Sequence, residues 1–111
     1  MNQIDLTKAS AHFIVDRKDR IEIIEKTVGW GEPIAEAKDK KDRDATAILT
    51  STGVIVVRAF DGMIITAFVA TVRQAQAVWS RATGTTAMPR TLWNIINYNN
   101  NTTYWRMKVA A

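Results

Sequence analysis

His12 is the only histidine in the 111-residue chain, and it stands shortly ahead of Arg17 and Arg20 in Ala11-His12-Phe13-Ile14-Val15-Asp16-Arg17-Lys18-Asp19-Arg20. An imidazole with an ordinary pKa of about 6.5 exchanges protons near neutrality, while guanidinium groups stay charged and can grip phosphate oxygens in pairs. RNA can be cut without metal when a base takes the 2′-hydroxyl proton, cations stabilise the crowded phosphate, and an acid protonates the departing 5′-oxygen. His12 can serve as that acid or base. Asp16, one helical turn later, would raise its pKa on contact, and Lys8, one turn earlier, would lower it. Arg17 and Arg20 are candidate phosphate clamps, although on an unbroken helix Arg17 points about 140° away from His12. A break near Lys18-Asp19 removes that objection. Thr66 offers a hydroxyl to a phosphate oxygen. Each residue also has an ordinary role open to it: His12 beside an apolar helix face, the arginines in solvent, Thr66 in a cross-strand contact.

The bulk composition narrows the setting for this chemistry. With 111 residues, 47% of them apolar, the chain suits one domain spanning 1–111 with a real core. There is no cysteine, and one histidine leaves little for zinc, so the chemistry is expected to need no metal and no cofactor. The longest strongly apolar uncharged stretch, Gly62 to Val72, has 11 residues, well short of the roughly 20 of a membrane-spanning helix. The first residues lack the basic start and apolar run of a secretory signal, so a cytoplasmic protein is expected.

Charge is unevenly distributed. All 11 acidic residues lie at or before Asp61, whereas the last 50 residues carry Arg73, Arg81, Arg90, Arg106 and Lys108 and no carboxylate. The first 61 residues hold ten Lys and Arg against 11 acids, a net of −1 within an overall +4. Such asymmetry points to an anionic partner, with nucleic acid the first candidate; if that partner is RNA, Lys18, Arg58, Arg73 and Arg81 are the expected contacts. Scattered cations also serve simply to keep a surface soluble.

The elements that must position these groups are legible from periodicity. Leu6, Ala9, Phe13 and Arg17 share one face of a helix over residues 6 to 17, with His12 at its flank. Asp19 and Glu22 have capping-box spacing and predict a second helix with Ile21, Ile24 and Val28 inward, ending at Gly29. Gly31 and Pro33 then force a loop. A weak edge strand over 34–38 leads to a charged tip at 39–44, followed by strands over 45–50 and 54–60. Asp61-Gly62 between apolar runs predicts a two-residue type I′ turn into a strand over 63–69. That turn pairs Phe60 with Met63, Arg58 with Ile65 and Val57 with Thr66. Arg58 and Thr66 then face opposite ways, and only one of them can belong to a single site unless a bulge intervenes.

Thr71 and Gln74 form another capping box, opening a helix with Val72, Ala75, Val78, Trp79 and Ala82 inward up to Thr83-Gly84. Pro89 suits the first turn of a short helix bearing Leu92, Trp93, Ile95 and Ile96. Residues 94–103, rich in asparagine, predict a polar loop, and the alternation in 104–109 predicts a terminal edge strand. The expected fold class is α+β: two N-terminal helices packed on a mainly antiparallel four-stranded β-meander, followed by one or two C-terminal helices.

A helical His…Arg…Arg element, a second helix, and a meander whose last hairpin reads Ser51-Thr52-Gly53-Val54-Ile55-Val56-Val57-Arg58-Ala59-Phe60-Asp61-Gly62-Met63-Ile64-Ile65-Thr66-Ala67-Phe68, then a helix, together make a specific order. This layout resembles the barnase/EndoU/colicin/RelE-like (BECR) ribonuclease toxin superfamily, most strongly over residues 10–81, with 84–111 as a C-terminal extension. The resemblance implies a metal-independent endoribonuclease acting by 2′-hydroxyl attack to leave a cyclic phosphate. It also implies that His12, Arg17 or Arg20, and Thr66 take catalytic positions, and that RNA and a cognate antitoxin or immunity protein are partners. Toxins of this kind are also delivered into the cytoplasm of a target cell. The chain has no second histidine and no evident catalytic glutamate in the hairpin. A different class of function is a small, non-catalytic phage or bacterial module that binds nucleic acid or protein through the basic second half and Tyr98, Tyr104 or Trp105. An assembly protein without a nucleic-acid role is a third.

Overall fold

A computed structural model of the chain describes residues 10, 14, 15, 18–38 and 44–110, with side chains described through Thr102. Its elements are α1 (Lys18–Ile23), continued by a π-helical turn (Ile24–Val28), then β1 (Pro33–Lys38), β2 (Ala45–Thr50), β3 (Val54–Ala59), β4 (Ile64–Val69), α2 (Val72–Thr83) and α3 (Arg90–Ala110). The strands form one antiparallel sheet in the order β1-β2-β3-β4.

Both faces of this sheet are covered. Ala45, Ala47, Leu49, Ile55 and Val57 pack with Ala75 and Val78 of α2 and Leu92 and Ile96 of α3. On the other face, Ile48, Val54, Val56, Ile64 and Ala67 pack around Ile24, with Ile21, Val28 and Trp30 alongside. Burial on two faces explains why β2 and β3 read as nearly continuous apolar runs instead of alternating ones.

The expected pair of N-terminal helices packed on the sheet is not what the structure contains. Before the strands, the helical segment at residues 18–28 packs on the sheet, and the main helical cover follows them: α2 lies over β1 and β2, and α3 against β4. The physical reason is the size of the apolar faces. The 18–28 segment buries one side chain fully, Ile24, whereas α2 and α3 bury Ala75, Val78, Leu92 and Ile96. The helix expected over residues 6–17 lies almost wholly outside the described residues; Ile14 and Val15 are helical and exposed. Asp19 and Glu22 do not cap a helix start, because Lys18 and Asp19 are already helical and the Glu22 carboxylate accepts from Lys26 Nζ at 3.0 Å.

The C-terminal region also departs from expectation. Residues 90–110 form one 21-residue helix, α3, in place of a short helix, a polar loop and a terminal strand. Asparagine is a weak helix former because its amide competes for local backbone groups. Here two of those amides also reach outside the helix and tie it to the sheet: Asn99 Nδ2 donates to Thr52 O at 2.7 Å, and Asn100 Nδ2 donates to Ala70 O at 2.8 Å as well as to Ile96 O one turn back. Leu92, Ile96 and Asn99 thereby form one buried face, with Asn99 only 4% exposed. Asn99→Ala should therefore cost about 1–3 kcal/mol of unfolding free energy by leaving the Thr52 carbonyl without its donor. Urea denaturation followed by circular dichroism reads this, and a change within error of zero would mean that water replaces the amide.

The β3–β4 turn differs as well. A type I′ turn needs positive φ at both central residues, yet only Gly62 has it, at +89°. Gly62 N–H donates to Ala59 O at 2.9 Å, Ala59 N–H to Met63 O at 2.8 Å, and Met63 N–H to Asp61 Oδ1 at 3.0 Å. This is a three-residue loop with a glycine bulge, held by an aspartate side chain. Arg58 now pairs with Ile64, and a bulge between Val57 and Arg58 restores the expected pairing of Val57 with Thr66. The helix after the sheet begins at the Thr71/Gln74 capping box, with reciprocal bonds of 3.1 and 2.9 Å.

Candidate functional site

Strand register gathers one group of polar side chains on the face that carries Ile24. Lys38 pairs with Thr46, Thr46 with Arg58, and Arg58 with Ile64, so Lys38, Thr46 and Arg58 form a transverse row on one face. Neighbouring strands lie about 4.8 Å apart, so the row spans about 10 Å. Arg58 and Thr46 are half-buried and Lys38 is exposed. The row borders the apolar cluster around Ile24 and Val56. Two cations with a hydroxyl between them suit the non-bridging oxygens of a phosphodiester. Glu36, exposed, follows in the next row on the same face and pairs with Ile48, bounding the cationic strip on one side.

Thr66 does not join that row. It pairs with Val57 and so shares the opposite face, the one covered by α2 and α3, where it is half-buried. The bulge alters the partner of Arg58 without turning either side chain over. Of the other expected RNA contacts, Lys18 is exposed at the start of α1, and Arg73 and Arg81 are exposed in the first and last turns of α2, across the sheet from the row. Arg20 is half-buried on α1. His12 and Arg17 lie outside the described residues. Ser10, two positions before His12, donates its amide to Ile64 O at 2.8 Å, and Ile14 N–H donates to Ser10 O at 3.1 Å.

Lys38 and Thr46 escaped sequence reading because their alignment with Arg58 depends on two loop lengths. Alternation within 45–50 put Thr46 on one face of its strand, but which residues it opposes is set by the connections at 39–44 and 51–53. The remaining described electrostatics are local. The Lys26 ammonium, hydrogen-bonded to Glu22 one turn away, holds the Glu22 carboxyl below its ordinary range. Among the described residues no three His, Asp or Glu side chains converge as a metal-ligand set, and no helix is long and apolar enough to cross a membrane. No protein-family model matches the chain, and no curated protein or solved structure is significantly similar to it.

Proposed function

We propose that the protein is a metal-independent endoribonuclease of toxin type, cleaving RNA by attack of the 2′-hydroxyl to leave a cyclic phosphate. The observation that carries this reading is the bond from Ser10 N–H to Ile64 O, because Ile64 is the cross-strand partner of Arg58. His12 follows Ser10 by two positions in the sequence, and two residues of chain extend at most about 7 Å, so this reading has the histidine act at the strand end that bears Arg58. In this reading His12 moves the proton, while Arg58, with Lys38 and Thr46, holds the phosphate and offsets the charge that builds up on it. Arg17 and Arg20 add positive charge from the N-terminal segment. Thr66, on the far face, is left with a role in RNA contact or in packing. A cognate antitoxin or immunity protein accompanies this reading as the partner that protects the producing cell.

A non-catalytic binding module is the second reading, favoured by the exposure of Trp93 (49%) and Tyr98 (70%) on α3. One assay separates the two. Purified protein is incubated with total RNA in excess EDTA and the new ends are mapped. The nuclease reading expects 2′,3′-cyclic phosphates and 5′-hydroxyls; intact RNA, or 5′-phosphate ends, would sink it.

A further inference from the structure

We propose that the outer surface of α2 and α3 is a second docking face for RNA, one that holds single strands on the side of the sheet opposite the Lys38–Thr46–Arg58 row. The identity of its occupant rests on the RNA reading above. Every residue of these two helices falls after Asp61, so a layer built from 12-residue and 21-residue helices contains no carboxylate. The described acids sit elsewhere: Asp19, Glu22 and Glu25 on the N-terminal segment, Glu32 and Glu36 around β1, Asp44 and Asp61 at strand ends. Folding therefore converts a lopsided sequence into a two-sided molecule, and the helical side repels acidic partners least.

The composition of that side fits single-stranded RNA in particular. Arg90, Trp93, Asn94, Asn97 and Asn101 recur at helical spacing along one stripe of α3, away from the buried Leu92, Ile96 and Asn99. At 1.5 Å per residue the stripe is about 16 Å long, room for about five stacked nucleotides at 3.4 Å each. Arg90 and Trp93, three residues apart, are helix-surface neighbours and offer a phosphate contact beside a base-stacking ring. The exposed amides of Asn94 and Asn101 can meet sugars and phosphates. Arg73 and Arg81 continue the cationic surface along α2, and none of Arg73, Arg81 and Arg90 forms an ion pair among the described residues.

The molecule measures 25 Å even in its shortest dimension, so a stacked strand needs at least about seven nucleotides to pass from one face to the other. The docking face should thus matter for long RNA and be irrelevant to short RNA. The test compares wild type with the triple variant Arg73→Gln, Arg81→Gln, Arg90→Gln, and separately with Trp93→Gln, on a single-stranded 20-mer and a pentamer. For the 20-mer the triple variant should lose about tenfold or more in kcat/KM, and the slope of log affinity against log salt should flatten by about two, at roughly 0.7 per lost phosphate contact. Trp93→Gln should weaken 20-mer binding about fivefold or more. Pentamer cleavage should be unchanged by either. If wild type cuts RNA while both variants keep the 20-mer slope and rate, the docking face alone is refuted. Wild type that neither binds nor cuts either RNA removes the nuclease reading and this proposal together. Polyglutamate bound as tightly as the 20-mer would reassign the face to acidic protein segments and overturn the proposal.

Discussion

His12→Ala should reduce RNA cleavage in EDTA by about 10²- to 10⁴-fold, the usual contribution of a single positioned acid or base. The loss should fall on kcat with KM little changed, because the phosphate contacts are assigned to other residues, Arg58, Lys38 and Thr46, which the variant keeps. The limb of the pH–rate profile that an imidazole contributes near neutrality should vanish with it. No other residue of the chain is an imidazole, so none can take over that ionisation. A melting temperature within a few degrees of wild type shows that the fold survives. Undiminished cleavage by a folded His12→Ala protein would remove the histidine from the mechanism. Expression supplies a second readout: a toxic wild type beside a tolerated variant is expected.

Gly31→Ala should destabilise the fold by about 2–5 kcal/mol. Gly31 has φ +70°, and a Cβ there would meet Thr52 Oγ1 at 2.8 Å, Ser51 Oγ at 2.9 Å and the Thr52 backbone nitrogen at 2.9 Å. Left-handed backbone with a Cβ costs about 1–2 kcal/mol, and forcing an atom into a filled space about 1–3 more. The space is filled because the Gly29–Glu32 loop is clasped by the β2–β3 turn. Thr52 Oγ1 donates to Gly29 O at 2.8 Å, Ser51 N–H to Glu32 O at 2.8 Å, and Glu32 N–H to Ser51 Oγ at 3.1 Å. Gly62→Ala is the control. Its φ of +89° carries comparable backbone strain, but nothing lies within 4 Å of a Cβ, so only the first term applies. The melting temperature of Gly31→Ala should fall by about 10 °C or more, on the scale of about 4–8 °C per kcal/mol for domains near this size. Equal losses at the two glycines would show that the clasp is not tight. The clasp also ties the 18–28 segment to the sheet, so cleavage should weaken along with stability.

The strands over 45–50, 54–59 and 64–69 and the helix opened by Thr71 and Gln74 were legible in the sequence because each depends on neighbours a few residues away. β-branched runs, Gly53 and Gly62 at the turns, and a capping pair three residues apart carry their signals locally. The lopsided charge was equally plain, since counting acids needs no coordinates. The helical state of residues 94–110 was not legible. Its asparagines look like loop until Asn99 and Asn100 meet carbonyls 47 and 30 residues earlier. The turn at Asp61-Gly62 is compatible with two hairpin types, and the bulge beside Arg58 selects between them. The alignment of Lys38 and Thr46 with Arg58, and the separation of Thr66 from all three, arose from strand register, which is a property of two chain segments and of neither one alone. Sequence by itself determined the locally encoded strands, turns and capped helix, and the charge that each segment carries. Only tertiary structure decided which faces they share, because those faces are set by hydrogen bonds and packing between residues far apart in the chain.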